Sequence, residues 1–583
     1  TIGVSDRQTL TGYFTESDSN ANFGLQASGT ASGKVYSVSV KEVLVDGDFD
    51  FSRGSNLAAT RIGSDGLIEK GRENLLLQSN SFLTTWTQVS ISPPTSGQAG
   101  YDGSTDAWYF EKTGAFGRLQ QSISTSGVQT LSVYLKAKDS SWVNIEAGGN
   151  NTSRQYFDLN APIETAKGSS SNIISSSIED AGDGWRKCSI TYEGTKTFVF
   201  IFIAEGNGQI NGTSGSLYIQ DSQLEIGLVA TDYIESGATT GKAGLLEDEP
   251  RFDYSGGATC PALLLEPSRT QLISHSEYFG AWNLNTAGIS SIQPNNAVSP
   301  EGLQNAYKVN FVVQSDSDLA LAQTHSITGG STYTYSIYIK GEGSNIGKDV
   351  VIKSKRNGGG DSAGTTTIQT LTNEWKRIDF ATTYAANNPQ GRLLISSNDA
   401  TSCLVYGAQA ELGSYPTSYI PNHSGGSVTR GADFCNGAGD SSTFNDSEGV
   451  LYAEVKTSAP VTSVSNSLML SINDSSNFNE VRFEFFTSNR LYASVRGSNG
   501  EASTVQTITQ TDYNKIAIKY TSSGSKFFLN GVGYAFGGKS ISGLNAFSFS
   551  RANTTTSPFY GDVKQVLTFK TALSDTDCIA LTT

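Results

Sequence analysis

Little in this sequence of 583 residues supplies the side chains on which most enzymes rely. There are three histidines, His275, His325 and His423, so the imidazole that most often moves protons near neutral pH is scarce. The five cysteines, Cys188, Cys260, Cys403, Cys435 and Cys578, stand singly, are odd in number and include no CxxC pair. That spacing argues against a zinc ribbon and a disulfide framework and predicts free thiols. No serine sits in a GxSxG elbow and no HExxH occurs, so hydrolase triads and zinc catalysis have no local signature. Charge is sparse, at 16% Asp, Glu, Lys and Arg against roughly 25% in average soluble domains. It leans acidic, with 55 carboxylates against 40 bases and a formal net charge of -15, which argues against a nucleic-acid partner. No Lys/Arg cluster suited to anionic lipid is present. No run approaches about 18 apolar residues, and the N-terminus lacks the basic-then-apolar order of a signal peptide; a soluble chain without membrane insertion is expected.

What is present is β-strand material. Strings such as "TLSVYLKA", "TFVFIFIA" and "SLYIQDSQLEI" alternate β-branched or aromatic residues with others and are bounded by Gly, Asn and Ser. No amphipathic pattern exceeds about two helical turns. The strings also repeat. "NLLLQSNSFLTTW" ending at Trp86 matches "TQLISHSEYFGAW" ending at Trp282, and "LSVYLKA" matches "YSIYIKG". "GWRKCSITY" matches "EWKRIDFAT" through Trp185 and Trp375, and "SQLEIGLVATDYI" matches "AQAELGSYPTSYI" through Glu225 and Glu411. Four matches in one order with drifting spacing indicate one fold present twice with loops of different length. "YSVSVKEV", ending at Val43, and "DFDFS" resemble the close of a further copy, so the chain reads as opening inside another sandwich, as part of something longer.

The expected organisation is the C-terminal part of a β-sandwich at 1–45, a linker at 46–73, a jelly roll at 74–234, a linker at 235–270, a second jelly roll at 271–420, a linker at 421–440, and a different sandwich at 441–583. In the last segment "KIAIKYT" and "KFFLNGV" form a hairpin, the second strand ending in an Asn-Gly turn. The fold class is all-β: tandem jelly-roll sandwiches in an elongated array.

The strings "GWRKCSITY", "LYIQDSQLEIG", "TDYIESG", "CPALLLEPSRTQLISHSEYFGAWN" and "YGAQAELGSYPTSYIPNHSGGSVTRGADF" resemble the carbohydrate-binding-module-like jelly rolls of bacteriophage tail and tail-fibre proteins, over roughly residues 36–434. The segment from "EGVLYAEV" to "ALSDTD" is similar to concanavalin A-like and laminin-G-like lectin sandwiches. The resemblance implies a virion component on the outer surface, engaged in host attachment, with host cell-surface glycans and other virion proteins as partners.

Gly533, Gly538, Lys539 and Ser540 spell a phosphate-loop pattern, but the following "ISGLNAFSFSRANTT" alternates like a strand instead of forming the required helix. Glu480 and Glu484 in "NEVRFEFF" would stand about 13 Å apart on one strand face, too far for either glycosidase geometry, and with Arg482 read as a solvated charged face. Trp86, Trp282, Trp185 and Trp375 recur at equivalent repeat positions, which assigns them to the core. Trp108 and Trp142 have no tryptophan counterpart in the second copy and are candidate ligand contacts, with Tyr492, Asn530 and Tyr534 in the last domain. The acidic stretches 46–50 and 246–250 read as solvated linker, with structural calcium as an alternative and no other cofactor expected. The resulting expectation is a non-enzymatic tail-fibre or spike-like appendage displaying glycan-binding modules. Repeated weak sites gain from multivalency, so self-association, for instance as a trimer, is expected. Two alternatives stand beside it: a capsid-surface fibre or decoration protein without a receptor, and the accessory binding region of a secreted polysaccharide-degrading enzyme.

Overall fold

A computed structural model describes residues 49–583 except 55–56, 149–152, 162–165, 168–172, 357–363, 386–389 and 553. The partial sandwich expected at 1–45 and the first residues of the 46–50 acidic stretch lie outside the described residues.

The first jelly roll packs two six-stranded antiparallel sheets. One runs in the order Ala166–Lys167, Ser153–Asp158, Trp142–Gly148, Lys196–Ala204, Arg118–Thr125, Thr87–Val89. The other runs Ile173–Gly182, Trp185–Glu193, Val128–Ala137, Ser216–Ile226, Ala107–Glu111, Thr95–Gln98. Side chains alternate along each strand, so every second residue, such as Val143, Ile145, Val199, Ile201, Leu131, Val133 and Leu217, meets the facing sheet and is fully buried. Each such aliphatic side chain contributes roughly 1.5–3 kcal/mol by leaving water. The second jelly roll repeats this with two five-stranded sheets, Ser402–Leu412 central in one and Gln390–Ser396 central in the other.

The repeated phrases have a structural purpose. In the first copy, Gln223 donates to Glu225 at 2.8 Å and its carbonyl accepts from Ile234 N at 2.7 Å, while Glu225 accepts from Thr231 N and Oγ1 at 2.8 and 2.7 Å. In the second, Gln409, Glu411, Thr417 and Ile420 make the same bonds at 2.8, 2.8, 2.8 and 2.7 Å. Asn74 and Gln271 complete the two clasps, each side-chain oxygen accepting from the strand, at Leu224 N and Ala410 N respectively. Glu225 and Glu411 are thus buried carboxylates with their lone pairs occupied, as burial of such a group requires.

Trp86, Trp282 and Trp185 lie in or against the cores. Trp375 is half-buried, packs against the small cluster of Ile68, Tyr406 and Tyr419, and donates its indole N–H to the Val298 carbonyl at 3.0 Å. Trp185 is almost fully buried, opposes Gly182 on the neighbouring strand and packs edge-on to Tyr101 at 6.4 Å, whereas Trp375 leads into Lys376–Thr383, an edge strand of its sheet.

The C-terminal sandwich has a five-stranded sheet, Gly500–Thr507, Arg490–Gly497, Glu480–Phe486, Leu468–Asn473, Ala546–Ser548, and a seven-stranded one. Two strands of the latter, Arg251–Asp253 and Ala262–Leu265, come from the 235–270 connector, with Leu265 buried in the core. Other connector residues pair with one another: Asp50–Ser52 with Phe434–Asn436, Arg72–Asn74 with Gly241–Ala243, and Arg269–Gln271 with Val428–Arg430. A short helix, Asp575–Thr582, closes the chain, Ser574 Oγ capping Asp577 N at 3.1 Å. All five cysteines are free, and only Cys260 is exposed. No helix among the described residues is long and apolar enough to cross a membrane.

Where connectors meet, charge is buried. Arg251 bridges Glu266 at 2.6 Å and Asp433; Arg430 reaches Glu266 at 2.7 Å and Arg53 reaches Asp433 at 3.3 Å. Ser418 N and Oγ both donate to Glu266 at 2.7 Å. Burial works against ionising Glu266, but Arg430 and Arg251 outweigh it and hold the carboxyl well below the usual range. A second cluster sets Lys70 at 3.0 Å from Glu301 and 3.3 Å from Glu277, with Arg72 on Glu301 and Tyr406 donating to it at 2.7 Å. There too burial is overcome, and Lys70 and Arg72 hold Glu301 down to about 2.

Candidate functional site

The alternation that buries one side of a strand presents the other. On the first jelly roll's sheet containing Trp142–Gly148, the outward positions are set by register: Asn144 opposes Phe202 and Tyr156, and Glu146 opposes Phe200 and Arg154. On the next strand Phe198, Phe200 and Phe202 oppose Ser122, Gln120 and Arg118. Three phenylalanines at every second residue thus form a row spanning about 13 Å. Successive ring centroids are 5.7 and 5.8 Å apart, the first pair stacked and the second tilted. The Arg118 guanidinium lies over Phe200 and Phe202, 5.6 and 5.3 Å from their centroids.

Polar groups border the rings. Asn144 is buried and donates to Glu146 Oε2 at 3.3 Å, and Arg154 Nε lies 3.5 Å from the same oxygen. Burial pushes the Glu146 carboxyl up, with Arg154 opposing that rise. Phe198, Phe200, Arg118, Gln120 and Arg154 are half-buried, whereas Phe202 and Glu146 are buried, so the accessible part of the row is its Phe198–Phe200 end. An apolar row beside amide, guanidinium and carboxylate groups suits a ligand with one apolar and one hydroxylated face.

Of the residues singled out from sequence, Trp142 belongs to this sheet face, half-buried opposite Ala204 and Asp158. Trp108 does not. It is 9% exposed, packs edge-on to Phe82 at 6.1 Å, and donates its N–H to the Asn80 carbonyl at 3.0 Å. The other three are dispersed. Tyr492 lies half-buried beside Phe486, its hydroxyl accepting from Arg490 at 2.9 Å. Asn530 forms a turn at φ 45°, its side chain accepting from Lys515 N at 2.9 Å, and Tyr534 packs on Phe527 at 6.2 Å.

The Glu480, Arg482, Glu484 face requires correction, because it is not solvated. Glu480 is fully buried and Arg482 nearly so, bonded to each other, with Arg482 reaching Glu501 at 2.8 Å. Their strand is central in its sheet, so neighbouring long side chains cover it. Gly533 lies in the hairpin strand Val532–Phe536, and the next element after Ser540 is the strand Ala546–Ser548, not a helix. Among the described residues no three His, Cys, Asp or Glu side chains converge as a metal site.

No family model matches the chain, and no curated protein matches it. Solved structures do. The CBM40 of a Ruminococcus gnavus IT-sialidase bound to α2,3-sialyllactose aligns at 18% identity over 24% of this chain and 84% of that one, with a TM-score of 0.21. The CBM22-1–CBM22-2 tandem of Paenibacillus barcinonensis Xyn10C aligns at 14% over 58% of this chain and 97% of that one, TM-score 0.21. Mouse laminin α1 domains LG4-5 align at 9% over 44% and 91%, TM-score 0.18.

Proposed function

We propose that this chain is a glycan-binding protein whose first jelly roll engages saccharides on the partly exposed sheet face of Phe198, Phe200 and Trp142, and that it serves in a virion appendage that attaches to host surfaces. The observation that carries the binding reading is the aromatic row itself. Its rings occupy outward positions, where packing of the sandwich core gives no reason for three phenylalanines in succession, and amide, guanidinium and carboxylate groups flank them. The attachment role rests on the resemblance of the repeated strings to tail and tail-fibre modules, and self-association would raise the avidity of individually weak sites.

The reading is one of binding, not catalysis. Among the described outward residues of this face the acids are Glu146 and Asp158, which the register places four residues apart, about 13 Å along the strands, whereas glycoside cleavage ordinarily needs two carboxylates within about 5–10 Å across the bond. Titration calorimetry with neutral oligosaccharides tests the site. Phe200→Ala should weaken binding about tenfold or more, a loss of about 1.4 kcal/mol or greater. Unchanged affinity in Phe200→Ala and Trp142→Ala would move the site elsewhere, and failure of purified protein to bind host cells would remove the attachment role.

A further inference from the structure

The second jelly roll presents the corresponding sheet face with different chemistry. Asp349–Arg356 stands where Trp142–Gly148 stands in the first copy, and Gln390–Ser396 where Lys196–Ala204 stands, each pair antiparallel. The pairing of buried Ile352 with Ile395 corresponds to that of Ile145 with Ile201. In that register Phe198, Phe200 and Phe202 become Arg392, Leu394 and Ser396, while Glu146 and Gly148 become Lys353 and Lys355.

The aromatic row is therefore replaced by cations. Lys353 Nζ lies 2.8 Å from Asp318 Oδ1, and Lys355 pairs with the other oxygen of that same carboxylate. Lys355 and Arg392 stand directly opposite each other on neighbouring strands, an arrangement that costs stability when nothing lies between like charges. Asp349, the other acid on the strand, is at its far end and accepts from Thr370 Oγ1 at 2.6 Å. Lys353 and Lys355 thus share the Asp318 carboxylate, with Arg392 opposite Lys355, in a chain whose net charge is -15. Beside them Ala320, Ala322 and Leu394 make a small apolar floor. The lysine side chains are 21% and 27% exposed, accessible yet held in place.

We infer that this second face binds an anionic saccharide, bearing carboxylate or sulfate groups, so that one chain carries two sites of different ligand chemistry. The inference rests on the same reading of these jelly-roll faces as binding surfaces, but it stands or falls on separate residues. The test titrates the full chain with polygalacturonate, chondroitin sulfate and neutral xylan at about 50 and 300 mM salt. Binding of one or both anionic polymers should fall at least tenfold in Lys353→Glu/Lys355→Glu, weaken with salt, and persist in Phe198→Ala/Phe200→Ala. Xylan binding should show the reverse dependence. Binding of polygalacturonate, which bears carboxylates alone, shows that carboxylate suffices, whereas binding of chondroitin sulfate alone, which bears both groups, points to sulfate. Arg392→Gln, a milder change, guards against misfolding of the double variant and should weaken anion binding severalfold.

Absence of binding by either anionic polymer would overturn the inference, as would binding unaffected by Lys353, Lys355 and Arg392 together. Competition by double-stranded DNA at equal charge concentration would also overturn it, by revealing a general polyanion surface. Xylan binding without anion binding leaves the first face standing and removes the second; anion binding without xylan binding does the opposite.

Discussion

Replacing Glu266 by Gln should release the connectors while leaving the sandwiches folded. Glu266 accepts from Arg251 and Arg430 and from Ser418 N and Oγ, and its neighbour Asp433 accepts from Arg53, Arg251 and Glu266 N. These groups are drawn from residues 53, 251–266, 418 and 430–433, so one carboxylate ties together segments far apart in sequence. Three guanidiniums bond Glu266 and Asp433, with Asp248 and Glu411 acting on Arg53 and Arg430 from further off; the neutral amide removes one of the two directly bonded carboxylates from a buried site. Breaking a buried pair by removing one partner costs about 3–5 kcal/mol. At 1.36 kcal/mol per decade, local opening should become roughly 200- to 5,000-fold more frequent. Unfolding of so large a chain is not a two-state event, so a single melting temperature is the wrong readout. Hydrogen exchange resolved by segment is the right one. Amides of Glu266, Ser418 and Asp433 should exchange faster by that factor, while Val133 and Ile201, deep in the first jelly roll, stay protected. Acceleration below tenfold at the connectors would refute the argument that this network holds them. Equal acceleration in both jelly rolls would refute the claim that its effect is local.

Other outcomes follow from the same structure. Asp221 sits in a bulge at φ 51°, where burial lifts its carboxyl to about 7 against the opposing bond from Tyr101. The folded state therefore keeps a proton that the unfolded chain loses above pH ~4, and stability of the first jelly roll should fall as pH rises from about 4 to 7. Asp221→Asn, which tolerates that backbone, should remove this slope and raise stability at pH 8 by roughly 1–3 kcal/mol in denaturant melts. For Glu301 the sign is opposite: its carboxyl is held down to about 2 from an ordinary 4.5, so its contribution is present above pH 4.5 and lost as pH falls toward 2. Protease susceptibility near Lys70 and Arg72 should rise across that acid window, and Glu301→Gln should show it already at pH 7. Deleting the clasp with Glu411→Ala should cost about 2–4 kcal/mol in the second jelly roll, because Thr417 N and Gln409 lose a buried acceptor; urea melts followed by tyrosine fluorescence check it.

Much of the scaffold was legible. Period-2 strings became strands, and "SQLEIGLVATDYI" and "AQAELGSYPTSYI" marked equivalent places because both spell one hydrogen-bond clasp. The candidate site was harder. "TFVFIFIA" is apolar at both parities, so it reads as a strand buried on two sides; only the restriction of phenylalanine to one parity, Phe198, Phe200 and Phe202, hints that this side differs. Trp142 stood out through the adjoining turn, while Trp108 offered the same lack of a counterpart and proved to be core. The charge networks were illegible for a different reason. Arg53, Arg251, Glu266, Arg430 and Asp433 are single charges in connectors, each ordinary for an exposed loop, and only chain topology brings them together. Glu480 deceived similarly: exposure of an outward position depends on how many strands flank it.

Comparing the two copies with each other separates scaffold from surface. Gln223, Glu225, Thr231 and Ile234 keep their counterparts Gln409, Glu411, Thr417 and Ile420 and the bonds between them. On the outward face the paired positions differ throughout: Phe198 against Arg392, Phe200 against Leu394, Glu146 against Lys353 and Asn144 against Val351, of which Phe198, Phe200, Lys353 and Arg392 are half-buried and the rest buried. The inward residues of these same strands stay aliphatic in both copies at Ile145 and Ile352, Ile201 and Ile395. A face serving only to keep the sandwich in water would tolerate scattered polar residues; it has no use for three consecutive phenylalanines in one copy and opposed cations in the other. On the binding reading proposed above, substitutions at the half-buried Phe198, Phe200, Lys353 and Lys355 should alter ligand preference while leaving melting behaviour largely unchanged.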